Sequence, residues 1–560
     1  MLYQNTALKW IALLLLPLSP LMAFEPNWGV DTIIQNPRVN PYQLSDTHFY
    51  EYKIRGLKHA LNYPVEVSGT LAPWIPIQSF LDRPSHNPLR ALFQLAFEGF
   101  TKINSSDELL KLIGLHLYPK NESERFGDIP DPETFYSQRM GATFFKKNNA
   151  LAMTISCAAC HSSSLFGKKI IGLSNRFSRA NEFFYLGKKA AKIANPNLFN
   201  AFVGSTKDEY ELYKKLRYHV QFIGVKKPEV LGLDTSLAQV ALSLARRDQD
   251  PNASLNVELS KNPRPEILST FVADSKPAVW WNVKYKNRWL SDGSVISGNP
   301  IYTNILWNEI GRGTDLNELQ NWLNNNNETI KELTTAVFSN EAPHYTDFFR
   351  ADSISIERAK KGEITFNQLC SKCHGTYVKN WSRFDSQSLS LQDILKTQQV
   401  IYKNKTPVID VGTDPNRYIG MESLAKGLNP LWISQSNGIK IQVQKGYVPP
   451  PLVGIWARWP YFHNNSAPNL CAVLTPSNER PKFYYSGEAK DPKKDFDEDC
   501  VGYPTGTKTP TEWKTKDHLY DTTKSGLSNH GHDYKIFIKD GVNQLNSVTR
   551  RDLIEFLKTL

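Results

Sequence analysis

The chain has 560 residues, of which 40% are hydrophobic and 22% charged, so it is long enough for two or three globular domains and too apolar to be disordered. Its formal charge of +11 is distributed without a block of lysine or arginine. That distribution argues against a nucleic-acid-binding tail and favours a solvated basic surface.

The N-terminus has the pattern of an export signal. Lys9 precedes a short apolar run, and Ala23 offers a small residue at which cleavage can occur. Pro17 and Pro20 interrupt the run, which is too short for an ordinary membrane span. We therefore expect residues 1–23 to be a signal peptide, and the mature chain to be periplasmic or secreted without a membrane span.

Two copies of a Cys-x-x-Cys-His motif carry the strongest chemical signal in the sequence. Two thiols separated by two residues reach the two vinyl groups of one porphyrin, and the histidine that follows binds its iron. A thioredoxin-like pair does not need the histidine, and a zinc site usually needs a second pair nearby. We therefore expect two covalently bound c-type haems. The attachment residues are Cys157, Cys160 and His161 in the first copy and Cys370, Cys373 and His374 in the second.

Trp280 and Trp281 form the one Trp-Trp pair of the chain, and they lie between the two motifs in sequence. Packing in an apolar core is one interpretation of each side chain. A position between the two haems is the other, and the sequence leaves both open.

The chain after the first motif is expected to divide near residue 345, where Pro343 and polar residues interrupt the helical patterns. The predicted units are the signal peptide, residues 24–345 with an N-terminal extension and the first haem, and residues 346–560 with the second haem. The predicted fold class is mainly α, with two cytochrome c-like haem domains joined by long loops.

Helical patterns flank the second motif. Ser355 can cap a helix with Glu357 in its first turn, and the small Gly362 allows a second helix to approach closely. A C-terminal amphipathic helix, capped by Ser547 or Thr549, is the expected neighbour. A weaker copy of the same lead-in precedes the first motif, at Gly141, Phe144 and Phe145.

Cys471 and Cys500 remain after the two motifs are assigned. In an oxidising compartment two leftover cysteines form a disulfide more often than they stay free. We therefore expect a Cys471–Cys500 bridge, and consider a thiolate ligand to haem the weaker alternative.

The sixth ligand of each iron decides between an electron-transfer haem and an open, reactive one. His463, His530 and His532 stand out by their sequence context, and Met421 is the best thioether candidate. No residue offers the first haem an obvious sixth ligand.

Two segments resemble a known superfamily. Residues 446–456 read Gly-Tyr-Val-Pro-Pro-Pro-Leu-Val-Gly-Ile-Trp, and residues 460–464 read Pro-Tyr-Phe-His-Asn. This pattern is similar to the signature of the dihaem cytochrome c peroxidase and MauG superfamily. The Ser-Asn-x-Gly-His element at residues 528–532 resembles, within it, the rubber oxygenase A (RoxA-like) cytochromes.

The resemblance implies a role for several residues. His161 would be proximal to a reactive N-terminal haem, and His374 and His532 would be the axial pair of the C-terminal haem. His463 would lie close to that second haem, and Trp281, with Trp280 as its rival, would carry electrons between the haems. Asn465 stands where the pattern has Gly, and because Asn tolerates a left-handed backbone we expect the turn to survive.

Two functions follow as hypotheses. The first is a haem-dependent oxygenase or peroxidase that uses oxygen or hydrogen peroxide, with the second haem as electron relay. The resemblance extends this to oxidative cleavage of a small or polymeric, polyisoprenoid-like organic substrate, with a redox protein as electron donor. The alternative is a non-catalytic periplasmic electron-transfer cytochrome with both irons six-coordinate.

Overall fold

The computed structural model describes residues 24–136 and 138–560, so the expected signal peptide lies outside the described residues. Helical residues far outnumber strand residues, which confirms the mainly α class. The α-helices of the described ranges are α1 (Asp46–Leu61), α2 (Trp74–Asp82), α3 (Pro88–Thr101), α4 (Ser106–Leu112), α5 (Ala158–His161), α6 (Ala180–Ile193), α7 (Pro196–Val203), α8 (Lys207–Val220), α9 (Ser236–Leu244), α10 (Val257–Lys261), α11 (Pro300–Gly311), α12 (Leu316–Asn325), α13 (Asn327–Phe338), α14 (Ile356–Leu369), α15 (Ser371–His374), α16 (Leu391–Ile394), α17 (Asn416–Leu428), α18 (Trp432–Ser436), α19 (Leu470–Val473) and α20 (Ser547–Lys558).

The strands are short and form small separate sheets. They are β1 (Ala72–Pro73), β2 (Arg125–Phe126), β3 (Ala142–Lys147), β4 (Ala150–Ile155), β5 (Ser162–Leu165), β6 (Lys168–Ile171), β7 (Val295–Ser297), β8 (Thr376–Lys379), β9 (Thr397–Ile401), β10 (Lys440–Ile441), β11 (Phe483–Tyr485), β12 (Leu519–Asp521), β13 (Ile538–Lys539) and β14 (Val542–Asn543). Two sheets have three strands, in the orders β1-β4-β3 and β2-β6-β5. The other strands pair as β7 with β10, β8 with β9, β11 with β12, and β13 with β14.

The lead-in to the first motif is a β-hairpin, so the expected copy of the helical lead-in is wrong. Strands β3 and β4 pair antiparallel, with Phe144 opposite Met153 and Phe145 opposite Ala152. Asn148 makes the turn with a positive φ of 54°. Successive side chains of a strand point to opposite faces, so Phe144 and Phe145 do not share one face as they would need to on a helix.

One apolar core gathers helices from both sides of residue 345. Its buried members come from α1, α9, α11, α13 and α17, for example Ala60, Val240, Ile305, Leu333 and Leu424. Helix α17 belongs to the segment assigned by sequence to the second haem domain, yet it packs in this first core. The division near residue 345 stays a prediction.

A second core surrounds the crossing of α14 and α20. Phe366 of α14 and Phe556 of α20 are fully buried against each other, with ring centroids 5.2 Å apart. A Cβ atom on Gly362 would lie 2.0 Å from the Asp552 carbonyl oxygen, so the close approach expected at this glycine is present.

The two caps of this helix pair differ in how well the sequence predicts them. Ser355 caps α14 through its side-chain oxygen, which accepts the Arg358 N–H, as expected. Helix α20 is capped by Asn546, one residue before the expected Ser547, because the Asn546 side chain accepts both the Val548 and Thr549 N–H groups at 2.9 Å.

A disulfide joins Cys471, in α19, to Cys500, the pairing expected of the two leftover cysteines. The bridge closes a segment that includes β11 and rests on the second core. Within the described ranges, no helix is both long enough and apolar enough to cross a bilayer.

Candidate haem-binding site

The first motif follows directly from the β3–β4 hairpin. Strand β4 ends at Ile155, and Cys157 then begins the single turn of α5, which ends at His161. The Nδ1–H of His161 donates a hydrogen bond to the Ala278 carbonyl oxygen at 2.9 Å. Because a carbonyl only accepts, this bond places the proton on Nδ1 and leaves Nε2 free to bind a metal.

The second motif has the same arrangement, but a helix precedes it instead of a β-hairpin. Helix α14 ends at Leu369, Cys370 links it to α15, and α15 ends at His374. The Nδ1–H of His374 donates to the Pro450 carbonyl oxygen at 2.8 Å. Pro450 lies in the Pro-Pro-Pro run of the superfamily-like segment, so that segment orients the second motif's histidine.

Both histidines are in the ligating form. Burial lowers the pKa of His161 and of His374 to about 4, so each imidazole is neutral at physiological pH. A neutral imidazole with its Nδ1–H held by a carbonyl is the usual arrangement of a metal-binding histidine. These residues therefore fit a c-type haem at each motif.

A cavity of about 540 Å³ connects the two motifs. Its volume lies in the range of sites that enclose small molecules and cofactors. The cavity-lining residues that matter here are Tyr63, Cys157, Cys160, His161, Trp280, Lys286, Arg312, Cys370, Cys373, His374, Arg458, His463 and His532.

His532 faces His374 across this cavity. Their ring centroids are 6.1 Å apart, and two imidazoles bound at about 2.0 Å to opposite sides of one metal would have centroids roughly 6 Å apart. Burial lowers the pKa of His532 to about 3, and its buried Nδ1 has no hydrogen-bond partner. The structure thus places the two residues of the expected axial pair at a spacing that fits one metal between them.

The backbone around His532 explains the Gly-His order of its motif. His532 has a positive φ of 58°, and its N–H donates to the Val411 carbonyl oxygen at 2.8 Å. A Cβ on Gly531 would lie 2.3 Å from the carbonyl carbon of Gly412, so only glycine fits there. The two rival ligands are placed elsewhere, because His530 is exposed and Met421 is fully buried among the leucines of the first core.

His463 lines the same cavity. Its ring stacks on that of Tyr447 with centroids 3.9 Å apart, and burial lowers its pKa to about 3. Its neighbour Phe462 contacts the ring of His532, with centroids 5.7 Å apart. Asn465 adopts a φ of 63°, so the left-handed turn expected at this position is present.

The two adjacent tryptophans pack in different cores. Trp280 belongs to the first core and lines the cavity, with its ring centroid 5.6 Å from that of His161. Trp281 belongs to the second core, is fully buried, and donates its Nε1–H to the Val453 carbonyl oxygen at 2.9 Å. In the described chain, Trp280 is the aromatic ring in contact with His161, and an indole N–H cannot ligate iron.

The buried hydroxyl of Tyr63 lines the cavity wall, and no sequence motif predicts this position. The Tyr63 hydroxyl donates to Glu309 at 2.7 Å, Thr314 donates to the same carboxylate at 2.5 Å, and burial raises the pKa of Tyr63 well above its ordinary value. Arg312 lies over the Tyr63 ring at 4.3 Å and donates to the Ile155 carbonyl oxygen just before the first motif. Tyr63 lies in the N-terminal extension, where no motif marks it.

Comparison with known proteins connects part of this site to a family. Residues 446–485 match the model of the RoxA-like, cytochrome c-like family, and this stretch contains Tyr447, Pro450, Val453 and His463. The match supports a link to RoxA-like cytochromes, and thus to c-type haem and haem-dependent oxidoreductases in general.

Two proteins of Sinorhizobium fredii are similar over shorter stretches. The uncharacterized protein y4iJ is 37% identical over 129 residues, which are 23% of this chain and 20% of y4iJ. The uncharacterized protein y4iM is 25% identical over 233 residues, which are 37% of this chain and 49% of y4iM. The chain thus spans between a fifth and a half of the length of these relatives.

Proposed function

We propose that this chain is an exported oxidoreductase carrying two c-type haems, one at each motif, and that the haem at His161 reacts with oxygen or hydrogen peroxide. The observation that carries the proposal is the single cavity lined by both motifs, with the Nδ1–H of each motif histidine fixed by a backbone carbonyl. When bound, haem supplies an iron that exchanges single electrons and activates oxygen species.

The second haem is proposed to be a six-coordinate relay. His374 and His532 face each other at the spacing of two imidazoles on one metal. The Val411 carbonyl accepts the backbone N–H of His532, and the Pro450 carbonyl accepts the Nδ1–H of His374, so both ligands would be held in place when the haem gains or loses an electron.

The first haem is proposed to keep one open face. Among the described residues, the ring in contact with His161 is the Trp280 indole, which cannot ligate iron. First-core side chains that line the cavity, including Ala60, Val240, Ile305 and Leu333, would exclude water from this region. An apolar wall also favours a hydrophobic organic substrate, in line with oxidative cleavage of a polyisoprenoid-like compound.

Trp281 is proposed to connect the two haems. The His161 ring bonds to Ala278, three residues before Trp281. The Trp281 indole bonds to Val453, three residues after Pro450, which bonds to the His374 ring. A short, hydrogen-bonded route therefore joins the two proximal histidines through Trp281.

Carbon monoxide binding to the reduced protein tests the proposal. Intact mass under denaturing conditions should first exceed the polypeptide mass by two haems. Carbon monoxide should then bind one haem in the wild type and both haems in His532→Ala, where the second iron is opened. A wild type that binds none would instead support the electron-transfer cytochrome with two six-coordinate irons.

A further inference from the structure

Three cationic side chains line the cavity without a carboxylate partner among the residues that the structure describes. They are Lys276, Lys286 and Arg458, called here the cation cradle. Within residues 24–136 and 138–560, the charges that act on Lys276 and Lys286 are arginines, and the groups that act on Arg458 are the hydroxyls of two buried tyrosines, which are neutral because burial raises their pKa.

Two other cations at the cavity wall show the contrast. Arg417 is paired with Asp292 at 3.2 Å, and Arg312 lies 3.7 Å from Glu309. These pairs satisfy their own charge, as buried ions generally do. The cation cradle has no such partner in the described protein.

The cradle residues have hydrogen-bonding capacity left over. The Lys276 ammonium donates to the Arg458 and Pro460 carbonyl oxygens, at 3.0 and 2.6 Å, which uses two of its three donors. Arg458 donates one guanidinium N–H to Pro451 at 3.0 Å, while its buried Nε has no partner. No hydrogen bond of the Lys286 ammonium is found in the described part of the chain.

Clustered like charges at a buried wall are costly without a counter-ion. An ion that is removed from water without a partner loses its hydration and gains no compensating interaction. Neutral oxygens solvate Lys276, while burial, and after it the charge of Arg458, lowers the pKa of Lys286 to about 7, and no carboxylate of the described residues pairs with Lys286 or Arg458. The missing negative charge therefore belongs in the cavity itself.

We propose that Lys286 and Arg458, supported by Lys276, bind the propionate carboxylates of the haems. The inference rests on the proposed function, which places two haems in this cavity. Each c-type haem is fixed by its vinyl edge to the cysteines and carries two carboxylates at the opposite edge. Of the described residues that line the cavity, Asp234 alone carries a carboxylate, so added negative charge in the cavity would meet few anionic side chains.

The chemistry of the cradle matches carboxylates. Arg458 presents a planar guanidinium fork, which pairs with a carboxylate through two parallel N–H bonds. Lys286 and Lys276 add point charges that need no fixed orientation. Such cations stabilise the reduced, less positive iron relative to the oxidised one, because they oppose a further positive charge nearby.

Lys286→Gln and Arg458→Gln test the proposal in the full haem-loaded protein. We expect both variants to keep two haems by intact mass. We expect at least one haem to show a lowered midpoint potential, and its propionate bending bands to shift in the resonance Raman spectrum. Lys379→Gln is the matched control, because Lys379 is also a buried amine held by neutral oxygens but does not line the cavity.

Charge-retaining variants keep the test decisive where Gln prevents haem loading. Lys286→Arg and Arg458→Lys should shift the propionate bands while changing the potentials less than Gln does. If the loaded variants carry two haems with unchanged potentials and unchanged bands, the proposal that the cation cradle binds propionates is overturned, while the dihaem proposal stands. A wild-type mass with fewer than two haems would overturn the dihaem proposal, and with it the carboxylates that the cradle is proposed to bind.

Discussion

The side chain of His532 is positioned by a backbone conformation that non-glycine residues rarely adopt. Its φ of 58° costs on the order of 1–3 kcal/mol, a strain that proteins retain mainly at functional sites. We predict that His532→Ala leaves both haems attached and converts one of them from low spin to high spin. Electronic absorption and electron paramagnetic resonance spectra of the oxidised protein measure this conversion.

Two variants separate His532 from its rivals. His530 is exposed, so His530→Ala should leave both haem spectra unchanged. Met421→Leu conserves volume in the first core and should cost less than about 1.5 kcal/mol without changing either spin state. A high-spin haem in Met421→Leu, with His532→Ala still low spin, would transfer the ligand role to the thioether.

Asp274 gives the stability of the protein a pH dependence. Burial raises its pKa from an ordinary 3.8 to about 7, although Oδ2 accepts the Glu229 N–H at 3.0 Å. Because the folded-state pKa is raised, the unfolded chain releases this proton first. The contribution of Asp274 to the free energy of unfolding is therefore lost as pH rises from about 4 to about 7, and this contribution is constant above that range.

Asp274→Asn removes this titration while keeping an oxygen that can accept the Glu229 N–H. We predict that the free energy of unfolding of wild type falls relative to that of Asp274→Asn as pH rises through this window. Denaturant unfolding of both proteins at pH 4 and pH 8 measures the difference. A difference between the two proteins that is constant with pH would contradict the prediction.

Residues differ in how much of their role the sequence reveals. The two motifs predict six haem-attachment residues by local spacing, and the Gly-His order at residues 531–532 suggests an axial ligand by resemblance. Lys286 and Arg458 carry no comparable signal, since they are two of 66 basic residues and acquire their environment only when distant segments close the cavity.

At the scale of elements, the crossing of α14 and α20 depends on the absence of a side chain at Gly362. A Cβ there would lie 2.0 Å from the Asp552 carbonyl oxygen, so the helices must separate to accept one. We predict that Gly362→Ala lowers the free energy of unfolding by about 1–3 kcal/mol, the usual cost of overpacking. Denaturant unfolding followed by circular dichroism measures the loss.

Gly99, in the last turn of α3, is the matched control. A Cβ on Gly99 would meet no atom within 4 Å, and alanine has the higher helix propensity. Gly99→Ala should therefore be neutral or stabilise the protein by up to about 1 kcal/mol. Equal destabilisation by both substitutions would show that helix crossing is not the cause.

The two haem lead-ins show why one element was predicted and the other was not. Ser355 and the spacing of Gly362, Phe366 and Cys370 are local features of a helix, and α14 forms as expected. Before the first motif, Gly141 and two aromatic residues suggest a similar helix. The hairpin forms instead because the chain turns at Asn148, and β4 also pairs with the distant β1.

At the scale of the whole molecule, the two cores meet between Trp280 and Trp281. The sequence predicts two units in succession, but α17 returns from the second half of the chain to complete the first core. Such a return depends on contacts between distant segments, and no local pattern encodes it. The cavity consequently lies within one continuous structure in which each haem motif is held by a carbonyl from another segment.

Trp281 is one of the side chains that form hydrogen bonds between these two halves of the chain. Trp281→Phe would remove its hydrogen bond to the Val453 carbonyl, at a cost of about 1 kcal/mol or somewhat more, since that acceptor is buried. We predict that this variant keeps two haems and unchanged axial spectra, yet transfers electrons between the haems more slowly. Flash photolysis of carbon monoxide from the half-reduced protein measures that rate directly.

Trp280→Phe should alter the surroundings of His161 while leaving the route through Val453 and Pro450 intact, so it should slow the transfer less. If Trp280→Phe slows the transfer more than Trp281→Phe does, electrons pass through the cavity-lining indole and not through the one buried between the cores.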